Sequence, residues 1–128
     1  MDTQSMHHEM RSKNLDKNPD EVRKFSNGKM DIANLGDTVI ARMTAEPGWK
    51  WSKDVKPIVN TNSCQITHTG YAISGRMRVR MDDGTEQEFG PGEAMYVPPG
   101  HDAWVVGNEP FVAIDITGGK QYAASSKK

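Results

Sequence analysis

Residues 89–101 read FGPGEAMYVPPGH, and the glycines and prolines of this run decide the fold. Gly90-Pro91-Gly92 and Pro98-Pro99-Gly100 punctuate the chain at two closely spaced corners, because proline removes a ladder donor and glycine tolerates the left-handed backbone of a tight turn. Working outward, similar clusters stand at Gly36-Asp37, Pro47-Gly48, Asp82-Asp83-Gly84 and Gly107-Asn108-Glu109-Pro110. From Met30 onward the polarity between them alternates with a period of two. Short strands separated by turn signals every roughly 8 to 12 residues predict a β-sandwich or barrel. No self-similarity at 20 to 50 residues suggests a propeller or solenoid.

The hairpin from Met77 to Phe89 allows its register to be read. A two-residue loop, Asp83-Gly84, would set Val79 and Met81 against carboxylates. A three-residue loop, Asp82 to Gly84, ending in a left-handed glycine instead places Arg80 opposite Glu86, Arg78 opposite Glu88 and Met77 opposite Phe89. We adopt the three-residue loop. Met77, Val79 and Met81 then face inward, while Arg76, Arg78 and Arg80 form a solvated outer row neutralised by Glu86 and Glu88, with no phosphate needed to explain them.

The chain has 128 residues, the size of one domain. Sixteen basic and seventeen acidic side chains give a formal charge of −1, so neither nucleic acid nor an anionic membrane is an expected partner. A single cysteine, Cys64, excludes an intrachain disulfide framework and fits a reducing cytoplasm. The polar N-terminus lacks the apolar run of a signal peptide, and no stretch approaches the roughly 18 residues of a membrane span. Residues 1–30 are expected to form a flexible polar arm, with His7 and His8 as solvated bystanders. Asn18, Pro19 and Glu21 follow the order of a helix cap, so a short helix is expected over Pro19–Phe25. Residues 119–128 read as a disordered polar tail.

The run SCQITHTGYAISGRMRVRMDDG, residues 63–84, together with FGPGEAMYVPPGH, resembles the paired motif of the cupin superfamily of small jelly-roll β-barrels. Gly92, Glu93, Pro98 and Gly100 stand at the corresponding positions of the second motif, and six residues separate His68 from Gly75 as they separate a glutamate from a glycine in the first. The resemblance spans roughly residues 36–117 and implies an all-β fold, a cupin barrel over residues 31–118. The chain departs from the family at the metal ligands. Asn62 and Cys64 stand where the first motif has histidines, His68 where it has glutamate, and Ala103 where the second has histidine, so the usual three-histidine, one-glutamate set is missing. In a regular strand Cys64 and His68 share a face, and His101 lies on the face of Ala103; in a cupin these faces point into the barrel. Two readings follow. Cys64, His68 and His101 hold a transition metal with an open position, zinc favoured and iron or copper also suited; or the metal is lost and the three are core residues.

Other pocket candidates are Trp51 and Lys56, and less so Trp49, Tyr71, Tyr96, Asp102 and Trp104. Trp49 and Trp51 share one face and read as a cover over the barrel or over another subunit's edge; Trp104 and Tyr71 are expected outside. The sequence carries no nucleophile triad, phosphate loop or dinucleotide motif, so no catalytic residue is assigned. Three functional classes remain: a metal-dependent enzyme, a metal-free binding or sensing module, and a homodimer built on the Val39, Ala41, Met43 alternation or the Trp49–Trp51 pair. The expectation is a cytoplasmic, homodimeric cupin that binds a small molecule with a metal in the barrel.

Overall fold

Alternating side chains over residues 21–115 generate β1 (Glu21–Phe25), β2 (Gly28–Leu35), β3 (Thr38–Ala45), β4 (His68–Ser74), β5 (Arg76–Met81), β6 (Glu86–Phe89), β7 (Ala94–Val97), β8 (His101–Val106) and β9 (Phe111–Asp115). Two single-turn helices, α1 (Trp51–Asp54) and α2 (Lys56–Val59), interrupt the series between β3 and β4. The structure is a computed structural model and describes residues 9–116 and 123–124. His7, His8 and most of the expected tail at 119–128 lie outside the described residues.

Every strand pairing is antiparallel, in two sheets: β1-β2-β3-β9-β4-β7 and β6-β5-β8. Their inner faces enclose one apolar core, in which Met30, Ile32, Ala41 and Ala72 from the larger sheet meet Met77, Val79 and Val105 from the smaller. The sheets do not merge into one closed ladder among the described residues. Single bridges, Lys50↔Trp104 and Cys64↔His101, tie the long connection between β3 and β4 onto β8.

The β5–β6 register is the expected one, with Met77↔Phe89, Arg78↔Glu88 and Arg80↔Glu86. Gly84 adopts φ +92° and its N–H donates to the Met81 carbonyl, which closes the three-residue loop.

The segment expected to be helical at Pro19–Phe25 is a strand. Asn18 does not cap a helix ahead of it: its side chain accepts the Asn14 N–H at 3.0 Å and its own N–H donates to the Asn14 carbonyl, so it closes a turn behind. Phe25 and Gly28 then pair across Ser26-Asn27, with Asn27 at φ 63°, and the hairpin buries Phe25 against Trp49 with ring centroids 6.3 Å apart. Burial of that aromatic against the core outweighs a weak local helical preference.

Candidate metal centre

Two corners deliver the three donors. Gly100, at φ +93°, turns the Pro98-Pro99 segment into β8, and the Cys64 carbonyl accepts the N–H of both Gly100 (2.7 Å) and His101 (3.2 Å) while the Cys64 N–H donates to the His101 carbonyl (2.7 Å). Cys64 and His101 therefore stand side by side. The chain from Gln65 to Thr67 forms no regular strand, and β4 begins at His68. Strand alternation is thus not what aligns Cys64 with His68; an irregular link brings both to the same place.

Cys64 Sγ lies 3.8 Å from His68 Nε2, and the rings of His68 and His101 meet edge-on with centroids 5.2 Å apart. One potential ligand atom from each of Cys64, His68 and His101 falls within 4.8 Å of the others. Each imidazole is held from behind. His68 Nδ1 lies 2.5 Å from Asp115 Oδ2, and His101 Nδ1 lies 2.8 Å from the Pro98 carbonyl oxygen. A carboxylate and a carbonyl only accept, so each Nδ1 carries a proton and each Nε2 is the ring atom turned away from its anchor. Fixing one ring nitrogen so that the other can ligate is how metal-binding histidines are oriented in proteins.

Cys64 and His101 are each 3% exposed and Asp115 is 7% exposed. Burial pushes the Cys64 thiol up, but hydrogen bonds and charge from His101 and His68 outweigh it and hold the thiol at about 6. Burial pushes His68 down, and the hydrogen bonds to Asp115 and Cys64 more than reverse this, raising it to about 9. Without metal, the site at neutral pH is a buried thiolate beside an imidazolium. Soft sulfur and borderline nitrogen donors, once His68 gives up its second proton, fit a late transition metal and not magnesium or calcium.

The histidines open onto a cavity of about 60 Å³ between the sheets. Trp51, Met77, Phe89 and Phe111 are among its apolar walls, and Asp115 is its one lining carboxylate. Trp51, a sequence candidate, is in this wall at 2% exposure, beside Trp49. Lys56 is not among the lining residues; it opens α2 half-buried. Asp102 also serves the frame, accepting the Ser52 N–H at 3.0 Å and so pinning α1 to β8. Tyr71 and Tyr96 are exposed at 49% and 64%, and Trp104 lies half-buried with Lys50 Nζ 5.5 Å from its ring centre. The two tryptophans and Ala41 are buried within their own chain, so they do not offer the outer dimer face that their alternation suggested. Asp115 was missed by sequence reasoning. Its signal was available: in FVAID, residues 111–115, it keeps phase with inward-facing Phe111 and Ala113.

No protein-family model matches the chain, and no curated protein matches it in sequence. Its fold is similar to several solved structures. A protein of unknown function from Rhizobium leguminosarum superposes with a TM-score of 0.59 at 20% identity, over 86% of this chain and 97% of that one. A Cupin 2 conserved barrel domain protein from Salinispora arenicola gives 0.59 at 17% identity, over 85% and 88%. The S161A mutant of oxalate decarboxylase from Bacillus subtilis gives 0.53 at 30% identity, over 80% of this chain but 28% of that one. The chain therefore spans less than a third of the decarboxylase it matches. Among the described residues no helix is long and apolar enough to cross a membrane.

Proposed function

The chain belongs to the cupin superfamily, and from that premise we propose that it binds one transition-metal ion on Cys64, His68 and His101 and a small molecule in the cavity beside it. The observation that carries this reading is the pair of anchored imidazoles: with both Nδ1 atoms committed to Asp115 and Pro98, both Nε2 atoms are left to ligate a metal next to Cys64 Sγ, that of His68 on loss of its proton. A metal bound there would supply Lewis acidity toward a donor atom of the ligand.

The chain's own residues would do the rest. Asp115 keeps the His68 ring in place and takes up its proton's charge. Trp51, Phe89 and Phe111 exclude water and receive the apolar part of the ligand. Because His68 holds a proton up to about pH 9 in the metal-free site, metal uptake releases it, and affinity rises with pH. The proposed setting is the reducing cytoplasm, which keeps the buried thiol free to ligate. A homodimer would use the outward strip of Tyr71, Ile73, Tyr96 and Ile116.

Elemental analysis of the purified, untagged chain tests the reading. About one transition-metal ion per chain is expected, falling to near zero in His68→Ala with the fold retained by circular dichroism. Absence of metal from the wild type, with no uptake of added zinc or copper, would leave a metal-free binding module in its place.

A further inference from the structure

The three donors leave room on a metal for a small molecule and for a further protein donor, and the walls around them restrict what the chain can place there. Asp115, the one carboxylate lining the cavity, is engaged by His68 Nδ1 at 2.5 Å, and the nearby Pro98 carbonyl is engaged by His101 Nδ1 at 2.8 Å. Oxygen donors that hard metals require are thus committed elsewhere. What the wall offers is thioether sulfur, from Met43, Met77 and Met95.

Register separates these three. On the larger sheet, Asp115 pairs with Gly70 and Gly70 pairs with Met95, so Asp115, Gly70 and Met95 form one cross-strand row with their side chains on one face. A Cβ at Gly70 would meet the Ile114 carbonyl oxygen at 1.9 Å, so the row admits no side chain on β4 and none stands between Asp115 and Met95. His68 stands two residues along β4 from Gly70, on the same face, and its ring reaches Asp115. Met43 belongs to the next row, with Ala113 and Ala72, a further step from His68. Met77 lies on the other sheet, four residues along β5 from the partner of His101.

We propose that Met95 supplies a thioether as the remaining protein donor, and that the centre thereby selects copper over zinc. A Cys-His-His set completed by methionine is the combination that copper favours, whereas zinc gains little from a thioether. Thiolate and thioether sulfur together are the ligands that select Cu(I). This inference rests on the metal-binding reading above.

Met81 provides an internal comparison. It pairs directly with His101, but it lines a separate cavity with Tyr96, Val97 and Pro98. The test is anaerobic competition of the reduced, metal-free full chain for Cu(I) against a chromophoric chelator, with Zn(II) binding measured in parallel, for wild type, Met95→Leu and Met81→Leu. Leucine for methionine conserves volume, so the fold is retained. Wild type should hold Cu(I) against excess Zn(II). Met95→Leu should lose about 10- to 100-fold in Cu(I) affinity, the usual cost of a lost supporting interaction at a metal, with Zn(II) affinity unchanged. Met81→Leu should match wild type. Equal Cu(I) affinity in wild type and Met95→Leu, parallel losses of both metals, or a loss confined to Met81→Leu would overturn the assignment while leaving the metal site standing. Failure to bind either metal would instead remove the site itself.

Discussion

The outer face of β5–β6 and the inner site beside β8 use the same chemistry, opposite charges in contact, and arrive at opposite consequences. On the outer face Arg76 Nη1 meets Glu88 at 2.9 Å and Arg78 Nε meets Glu86 at 2.6 Å, with the arginine side chains 53% and 38% exposed. Water screens these pairs, and each contributes about 0.2–1 kcal/mol. Inside, His68 and Asp115 meet at 2.5 Å with side chains 14% and 9% exposed. There the partners have given up most of their hydration, so neither can be removed without stranding the other. Exposed pairs are replaceable decoration of a strand; the buried pair is a constraint on everything around it.

Removing the inner anchor should produce the largest effect. Asp115→Ala leaves a buried imidazole without its acceptor, and a loss of about 3–5 kcal/mol is expected in urea unfolding of the metal-free protein. A loss below about 1 kcal/mol would mean that the inner pair behaves like the outer one.

A subtler test uses pH. His68 is raised to about 9 from an unfolded value of 6.5, so its contribution is complete below about 6.5 and is lost as pH rises through about 9. Cys64 is lowered to about 6 from 9.0, so its contribution is complete above about 9 and is lost as pH falls through about 6. Between pH 6.5 and 9 the two slopes are opposite, because folding in effect moves a proton from the thiol to the imidazole. Metal-free wild type should therefore be nearly flat across this window in denaturant midpoint. Cys64→Ser removes the compensating slope and keeps Asp115, so its stability should fall with rising pH, by up to about 1.4 kcal/mol per unit. A flat profile in both proteins would separate Cys64 from His68.

The outer ladder gives the smallest effect. Arg78→Ala should cost no more than about 1 kcal/mol and should change neither metal content nor the pH profile. A larger cost would show that the outer row stabilises the sheet through more than screened charge.

Legibility followed the range of the interaction. The β5–β6 register could be read because loop length, glycine and cross-strand charge all lie within thirteen residues, 77–89. Asn18, Pro19 and Glu21 gave an equally local signal, for a helix, and only docking of Phe25 on Trp49 across the Ser26-Asn27 turn resolves the segment as a strand. Lys56 was the expected pocket cation; it stands half-buried at the start of α2 and is not in the lining of the cavity beside the histidines. The identities Cys64, His68 and His101 stood out because they break a motif, but nothing local could reveal their anchors.

The sequence by itself determined the alternation from Met30 onward, the corners and the inward face of β5, since these follow from side-chain period and backbone sterics between near neighbours. The tertiary structure decided which inward residues meet. Asp115 lies 47 residues from His68, and Cys64 reaches His101 through an irregular link, so their meeting depends on the order β9-β4-β7 and on one bridge to β8. Burial then sets the charge of Cys64 and His68, because away from water a thiol and an imidazole in contact shift one another's protonation strongly.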